Sequence, residues 1–222
     1  MAESEFERPI VTIDIVLLTL SEGRLCAALL PRPVAPFAGT PALIGGYVHV
    51  NEDADAEAVV RRILKTKTGL NGLYVEQLAT FASAARDPRG WSVSIAYFAL
   101  VPKGRLAESA HPLDFRPVDE PGDLPFDHNA ILDTALKRLR GKGAYSTIPA
   151  RLLPEVFTMS ELQAIYETVM GERLDQSAFR RKINDLGLLE EVEGEKRQTR
   201  EARRPTTLYR LKAPLTVFDR RI

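Results

Sequence analysis

The chain has 222 residues and a formal net charge of zero at pH 7. This length predicts one or two domains, and an apolar content of 45% is sufficient for a sizeable core. The balanced charge provides no overall field that would direct the protein to nucleic acid or to a membrane. The single cysteine, Cys26, excludes an internal disulfide and a cysteine-based metal framework, and we expect it to be a buried apolar residue.

The N-terminal segment, residues 1–9 (MAESEFERP), is acidic and lacks the apolar region of a secretory signal. No apolar run approaches the length that a helix needs to cross a membrane. We therefore expect a cytoplasmic protein without a membrane partner.

The first elements of the chain are predicted to be strands. Residues 11–20 (VTIDIVLLTL) are apolar and rich in β-branched side chains, Glu22 and Gly23 supply a turn, and residues 24–30 form the partner strand of a hairpin. A loop rich in proline and glycine, residues 32–40, then leads to a short strand that ends at a pair of glycines, Gly45 and Gly46.

A helix is predicted after this glycine pair, starting near Asp53 or Asp55, either of which can cap it. Its apolar residues recur at helical spacing, so we expect one face to pack on a sheet. Residues 75–82 and 91–101 read as two further strands around a polar turn, residues 84–90. Residues 126–140 form an amphipathic helix, and the whole set predicts a mixed sheet between helices.

The segment from Gly46 to Gly69 resembles the Nudix box, the metal-binding loop and helix of hydrolases that cleave nucleoside diphosphate derivatives. Glu52 follows Gly46 at the family's spacing, although the distance from Gly46 to Gly69 is two residues longer than in the family. The resemblance implies a Nudix-like α/β/α sandwich. Three residues stand where the family has the glutamates that hold its metal ions: Ile63, Thr66 and Lys67.

This replacement predicts that the protein is not an enzyme and has no metal cofactor. Magnesium requires oxygen ligands, and without a metal there is no activated water. An isoleucine offers no oxygen, a threonine offers only a neutral hydroxyl, and a lysine brings a positive charge. An active Nudix hydrolase stays open as an alternative, because ligands can come from elsewhere in such a fold.

The C-terminal third is predicted to be a separate domain. Residues 141–143 (GKG) are interpreted as a linker, which divides the chain into residues 1–143 and 144–222. A helix over residues 160–170, capped by Thr158 or Ser160, ends at Gly171, and a second helix over residues 176–186 follows its cap Asp175. Two short helices joined by a four-residue turn are typical of a helix-turn-helix.

The faces of the second helix predict a DNA-reading surface. Phe179, Ile183 and Leu186 recur at helical spacing and are expected to turn inward. The outward residues can contact phosphates and base edges. They are Gln176, Ser177, Arg180, Arg181 and Asn184.

A β-wing is predicted after this helix. A strand begins at Leu188 and Leu189, residues 190–204 form a polar loop, and residues 207–211 return as the partner strand. Residues 196–212 contain seven basic side chains against one acidic side chain, a local charge of +6. A solvated charged face is the simpler interpretation of such a run, but its position beside the helix pair favours DNA binding. The residues expected to contact DNA are Lys196, Arg197, Arg203 and Arg204.

The whole chain resembles the Nudix-related transcriptional regulators of the NrtR type, in which a degenerate Nudix domain precedes a winged helix-turn-helix. The resemblance is carried by residues 37–39 (FAG), 42–46 (ALIGG), 86–90 (RDPRG), 96–100 (AYFAL), 124–128 (LPFDH), 152–158 (LLPEVFT) and 179–182 (FRRK). It implies a homodimeric repressor of NAD biosynthesis or salvage genes, bound to a palindromic double-stranded DNA operator. Regulators of sugar catabolism with the same architecture are an alternative.

The resemblance also implies release from DNA when ADP-ribose or a related nucleotide binds the Nudix-like domain. We hypothesise that the Lys67 ammonium replaces the positive charge of the lost metal and meets the effector's pyrophosphate. The alternative is that Lys67 is a solvated helix residue. The residues expected to bind the effector are Arg32, Phe37, Gly45, Gly46, Arg62, Lys67 and Arg86.

Overall fold

The computed structural model describes residues 8–107, 109, 111–197, 205–213, 215–218 and 222. Its N-terminal part contains seven strands and three helices. The strands are β1 (Ile10–Ser21), β2 (Arg24–Pro31), β3 (Pro41–Ala42), β4 (Ile44–Tyr47), β5 (Tyr74–Ser83), β6 (Ser92–Leu100) and β7 (Asp114–Pro117). The helices are α1 (Ala56–Thr68), α2 (Lys103–Leu106) and α3 (His128–Gly143).

The seven strands form one mixed sheet with the main order β3-β2-β1-β6-β5, while β4 pairs with β1 and β7 pairs with β2. Strand β1 runs parallel to β6 and antiparallel to β2 and β4. The hairpin of β1 and β2 turns at Glu22 and Gly23, both with positive φ, which suits the twist of a two-residue hairpin loop. The predicted hairpin and mixed sheet are confirmed.

Strand β1 is buried on both faces. Successive side chains of a strand point to opposite sides of the sheet, so its residues divide between two apolar clusters. Ile13, Ile15 and Leu17 belong to the apolar cluster that includes α1. Val16 and Leu18 belong to the cluster that includes α3. The sheet therefore lies between helices, and the expected α/β/α sandwich is confirmed.

Local capping sets the bounds of α1. The Asp55 side chain accepts a hydrogen bond from the Ala58 amide at 2.7 Å, and the helix ends at Gly69, whose φ is 75°. A carboxylate cap satisfies an amide that has no partner within the helix, and a glycine adopts the left-handed end without strain. Of the two predicted caps, Asp55 is the one used.

The C-terminal part is a helix-turn-helix followed by a wing. A short 3-10 helix, Ile148–Leu152, precedes the elements β8 (Phe157–Thr158), α4 (Met159–Met170), α5 (Gln176–Asp185), β9 (Leu189–Arg197) and β10 (Thr206–Leu211). The three strands form a sheet of order β8-β10-β9. Thr158 and Glu161 form a reciprocal capping box at the start of α4, and Gly171 ends that helix, so its predicted signals are confirmed.

Four details of the prediction were wrong. The glycine pair does not end a strand, because Gly45 and Gly46 lie within β4 and pair with β1. Residues 141–143 are not a linker, because α3 runs through Gly143. Residues 190–197 are not loop, because β9 extends to Arg197 and pairs with β10. Leu186 does not turn inward; it lies at the C-terminal end of α5 and is 37% exposed. The division of the chain at residue 143 stays a prediction.

One apolar cluster continues from the sandwich into the helix-turn-helix. It includes Val16 and Leu139 on one side and Tyr166 and Phe179 on the other. The buried Tyr166 hydroxyl donates a hydrogen bond to the Ser146 carbonyl at 2.7 Å. A Cβ at Gly143 would lie 3.2 Å from Pro149 Cγ and 3.3 Å from Val169 Cγ1. The last turn of α3 therefore packs closely against the C-terminal part.

This packing predicts opposite effects of two substitutions in residues 141–143. Gly143→Val should lower the free energy of unfolding by about 1–3 kcal/mol, because the added carbons overpack a filled contact. Gly141→Ala should raise the free energy of unfolding by about 0.5–1 kcal/mol, because alanine loses less conformational freedom than glycine in a helix. The position is exposed, and an added Cβ would have no neighbouring atom within 4 Å. Chemical denaturation measures both changes. If neither variant differs from the wild type, residues 141–143 behave as a flexible linker and the packing argument is wrong.

Candidate functional site

A cleft of about 370 Å³ opens between β4, α1, the loop after β5 and the start of α3. We call it the Gly45 cleft. Six of the seven residues expected to bind an effector line it: Arg32, Gly45, Gly46, Arg62, Lys67 and Arg86. The seventh, Phe37, packs edge to face on Phe126, a lining residue, with ring centroids 5.0 Å apart. The structure thus brings the predicted set together.

The glycine pair is required by close packing in the cleft wall. A Cβ at Gly45 would lie 2.2 Å from Asp14 Oδ1, and one at Gly46 would lie 3.3 Å from Ile63 Cδ1. The Cβ at Gly45 would also lie 2.7 Å from the Ile13 carbonyl oxygen, a backbone atom, so it could not be accommodated without moving β4 away from β1. Ile63, at a position where the Nudix resemblance predicts a metal ligand, is 1% exposed and packs in the core beneath Gly46.

Arg62 organises the loop that precedes α1. Its Nε and Nη2 donate to the two carboxylate oxygens of Asp53 at 2.8 and 2.7 Å, and Nη2 also donates to the Tyr47 carbonyl at 2.8 Å. The Arg62 hydrogen bonds lower the pKa of Asp53 to about 2. Arg62 therefore has its charge compensated within the protein, and its main contribution to the cleft is to fix the loop.

Arg86 is the centre of a buried polar network. Its guanidinium donates to both oxygens of Asp127 at 3.0 and 2.9 Å and to Ser92 Oγ at 3.1 Å. Asp14 Oδ2 lies 3.5 Å from Arg86 Nη2 and accepts from Ser94 Oγ at 2.6 Å. Arg86 lines the cleft, but these internal partners occupy all three of its nitrogens.

His128 completes the floor of the cleft. Its Nδ1 accepts a hydrogen bond from the Leu43 amide at 3.2 Å, which places the ring proton on Nε2, 3.6 Å from Asp14 Oδ1. Burial lowers the pKa of His128, and Asp14 opposes that shift. We therefore assign a neutral ring that connects β1 to the start of α3.

Two cations in the cleft form no salt bridge within the described residues: Lys67 and Arg32. Lys67 Nζ donates to the Gly45 carbonyl, and burial lowers its pKa, with Arg32 adding to the shift and Asp14 opposing it. Arg32 Nε donates to the Pro36 carbonyl at 2.7 Å, and its guanidinium lies 4.6 Å from the Phe126 ring centroid. These uncompensated charges make the cleft suited to an anion.

The rim of the cleft carries strained aromatic residues. Phe37 and Phe126 have φ values of 62° and 56°, a region that bulky side chains rarely adopt. Arg89 packs 5.8 Å from the Phe126 centroid and 5.6 Å from the Tyr47 centroid. Strain of this kind concentrates at ligand-binding sites.

The sequence interpretation did not assign several lining residues to the effector site, among them Asp14, Tyr47, Asp87, Arg89, Phe126 and His128. One signal was available, because Asp14 interrupts an otherwise apolar strand and a buried carboxylate needs partners. Asp87, Arg89 and Phe126 lie in loops, and Tyr47 and His128 lie at the ends of β4 and α3, where composition does not indicate the direction of a side chain.

The structure offers no cluster for a metal ion: no three His, Cys, Asp or Glu converge anywhere in the described part of the chain. On α1, the Thr66 hydroxyl donates to the Arg62 carbonyl at 2.8 Å, and Lys67 contacts the Gly45 carbonyl. The side chains at the positions where the Nudix resemblance predicts metal ligands therefore do not suit magnesium, which prefers several carboxylate oxygens.

Helix α5 presents the predicted polar face. Phe179 and Ile183 are buried. Within the described residues, Arg180 and Arg181 form no salt bridge. The five outward residues are all exposed: Gln176, Ser177, Arg180, Arg181 and Asn184.

The predicted wing residues divide into three groups. Arg197 ends β9 and is engaged internally, since its guanidinium donates to Glu161 at 3.0 Å and to the Val156 carbonyl at 3.4 Å. Lys196 precedes it in β9. Arg203 and Arg204 lie outside the described residues. Arg197 thus ties the wing to the capping box of α4.

None of the helices in the described residues is long and apolar enough to span a bilayer. The architecture instead defines a class of protein in which a ligand-binding α/β/α sandwich is joined to a winged helix-turn-helix. The family model of the NrtR DNA-binding winged helix domain matches residues 149–211 of the sequence.

Comparison with known proteins gives the family. The chain is 36% identical over 214 residues to the ADPR responsive transcriptional repressor NtrR of Acinetobacter baylyi, covering 94% of this chain and 84% of that protein. The crystal structure of Shewanella oneidensis NrtR complexed with a 27mer DNA superposes with a TM-score of 0.86 at 34% identity, covering 96% of this chain and 99% of that chain. The chain belongs to the NrtR family of regulators, which confirms the resemblance drawn from the sequence.

Two further relatives concern the N-terminal part. The Nudix domain of Shewanella oneidensis NrtR complexed with ADP ribose matches with a TM-score of 0.55 at 32% identity, covering 63% of this chain and 94% of that chain. An ADP-ribose pyrophosphatase of Methanocaldococcus jannaschii is 36% identical over 115 residues, which are 51% of this chain and 67% of that protein. The sandwich is therefore similar both to a regulator's domain and to an enzyme.

Proposed function

We propose that the protein is a homodimeric transcriptional repressor that binds a palindromic double-stranded DNA operator and is released by ADP-ribose or a related nucleotide. The Acinetobacter relative is a repressor by name, and the Shewanella structures contain DNA and ADP ribose. The single observation that carries the proposal is the pairing of an anion-suited cleft with an exposed basic helix face in one chain. Genes of NAD biosynthesis or salvage are the proposed targets, and the cytoplasm is the proposed location.

The chemistry of the Gly45 cleft supports a nucleotide diphosphate as ligand. A pyrophosphate group carries negative charge that Lys67 and Arg32 can meet, because neither has a carboxylate partner among the described residues. Charge-assisted hydrogen bonds of this kind are stronger than neutral ones. Phe126 and Tyr47 at the rim provide apolar surface for the rest of the molecule.

The proposal includes binding without hydrolysis. The similarity to a pyrophosphatase makes an active hydrolase the competing hypothesis. Hydrolysis in that class depends on metal-bound carboxylates, and Ile63, Thr66 and Lys67 stand at the positions in question. The Ile63 side chain packs in the apolar core, and the Thr66 hydroxyl donates a hydrogen bond to the Arg62 carbonyl of the same helix.

The proposed function predicts that intact ADP-ribose releases the protein from DNA. A duplex selected by the protein from a random library serves as the operator, and a scrambled duplex serves as the control. Gel-shift titration should show release by ADP-ribose, and chromatography should recover the nucleotide uncleaved with Mg²⁺ or Mn²⁺ present. If the wild type forms AMP and Glu52→Gln does not, the protein is a hydrolase. If ADP-ribose does not change operator binding, ADP-ribose is excluded as the effector.

A second prediction assigns base discrimination to helix α5. Arg180→Ala and Arg181→Ala should each weaken operator binding by about 1–3 kcal/mol and relax specificity at one base pair, as expected when a base-reading arginine is lost. Arg203→Ala and Arg204→Ala should weaken operator and scrambled duplexes alike and flatten the salt dependence, as expected for phosphate contacts. Titrations at several salt concentrations separate the two patterns. Equal losses on both duplexes for the α5 variants would contradict the assignment.

A third prediction concerns Lys67 as the internal substitute for a metal charge. Calorimetric titration should show ADP-ribose binding that is unchanged by EDTA and that weakens at least about tenfold, or 1.4 kcal/mol, in Lys67→Ala. Lys65→Ala is the matched control, because Lys65 lies on the same helix and is exposed. Binding abolished by EDTA, or equal in the wild type and Lys67→Ala, would show that Lys67 does not act in this way.

A further inference from the structure

A second cavity, of about 450 Å³, lies between the sandwich and the winged helix. We call it the interdomain groove. Tyr74, Leu100 and Arg105 line it from the N-terminal part, and Arg151 and Phe157 line it from the C-terminal part. It shares no lining residue with the Gly45 cleft. A ligand held here would contact both parts of the chain.

Arg151 lines this groove and lacks hydrogen-bond partners in the part of the chain that the structure describes. Its Nε is buried and has no hydrogen-bond acceptor within the described residues. The guanidinium lies 5.8 Å from the Tyr74 ring centroid. The nearby carboxylate of Glu76 is already engaged by Tyr74, Arg138 and Lys142. A guanidinium without an acceptor is costly to bury, and Nη1 and Nη2 of Arg151 also form no hydrogen bond within the described residues, so these terminal nitrogens favour an added acceptor.

Arg105 supplies a second cation from the N-terminal part of the chain. It is exposed on α2, and its Nη2 donates to the Asn71 carbonyl at 2.6 Å. Within the described residues it forms no salt bridge. A third lining arginine, Arg210, is paired with Glu190 and adds no uncompensated charge. Glu155 is the acidic lining residue, so the lining contributes one carboxylate and two guanidinium groups that form no salt bridge within the described residues.

We propose that the interdomain groove binds a phosphate group through Arg151 and Arg105. Guanidinium groups present forked donors that match phosphate oxygens, and both residues keep donors free for such a contact. The groove is larger than a phosphate ion needs, and its other walls are apolar, including Leu73, Leu100 and Leu211. A phosphate monoester with a small apolar body therefore fits better than inorganic phosphate alone.

Calorimetric titration of the full-length protein in chloride buffer tests this site, with inorganic phosphate and phenyl phosphate as probes. Both should bind, and phenyl phosphate should bind more tightly if the apolar walls are used. Equal affinities would support the site and identify the free ion as its ligand. Binding should weaken at least tenfold in Arg151→Gln and in Arg105→Gln. Arg105 is exposed, so its variant keeps the test valid if Arg151→Gln unfolds.

Two control variants separate this site from other sources of binding. Lys67→Ala removes a cation of the Gly45 cleft, so any phosphate bound there should be lost in this variant, while the binding that depends on Arg151 and Arg105 should remain. Arg61→Gln removes an exposed arginine paired with Glu57 and should also have no effect. Absence of binding in the wild type overturns the proposal. So does binding that is lost in Lys67→Ala but retained in both groove variants.

Discussion

The buried guanidinium of Arg86 joins the elements that form the floor of the Gly45 cleft. Its side chain is 4% exposed and connects the loop after β5 to Asp127 before α3, to Ser92 on β6 and to Asp14 on β1. A buried ion pair depends on complete hydrogen bonding, because removal of one partner leaves an uncompensated charge that costs about 3–5 kcal/mol. The position of α3 on the sheet is therefore tied to the same contacts that shape the cleft.

This arrangement also sets the charge of the cleft. Asp14 accepts from Ser94 and lies beside Arg86, and Asp127 is held by two guanidinium donors. Asp87 and Asp53 are likewise paired with Arg89 and Arg62. The carboxylates around the cleft are thus matched internally. Lys67 and Arg32 form no salt bridge within the described residues, so their positive charges are uncompensated. A chain with a net charge of zero therefore has a cationic cleft.

Local signals predicted much of this fold, and long-range contacts account for what they missed. The caps at Asp55, Thr158 and Asp175 are set by residues within three positions along the chain, so the sequence limited the first two caps to two candidates each and identified the third. Gly143 read as a linker because its contacts with Pro149 and Val169 are tertiary. The polar strand β9 has no apolar alternation to reveal it; its pairing with β10 defines it.

The candidate site shows the same division. Arg32, Lys67 and the glycine pair were predicted by resemblance to a motif, and the structure places them on one cleft. Sequence could not indicate that the guanidinium of Arg197 is engaged by Glu161, 36 residues away. Nor could it pair Asp14 with His128 or Arg86, which are far apart in the chain and meet only when the sheet forms.

Helix α3 provides a continuous physical connection between the two parts of the chain. Its first residue, His128, lies at the cleft floor, and near its other end Arg140 donates to the Val169 carbonyl of α4 at 3.3 Å. Its 16 residues span about 24 Å. The close packing of Gly143 leaves little freedom for the helix end to move independently of α4. In the proposed repressor, a ligand changes DNA affinity only if it binds two arrangements of the protein unequally. Helix α3 is held by packed contacts at both ends. The two arrangements would therefore differ by a displacement of α3 together with the helix-turn-helix. Bending of a linker would not contribute to this displacement.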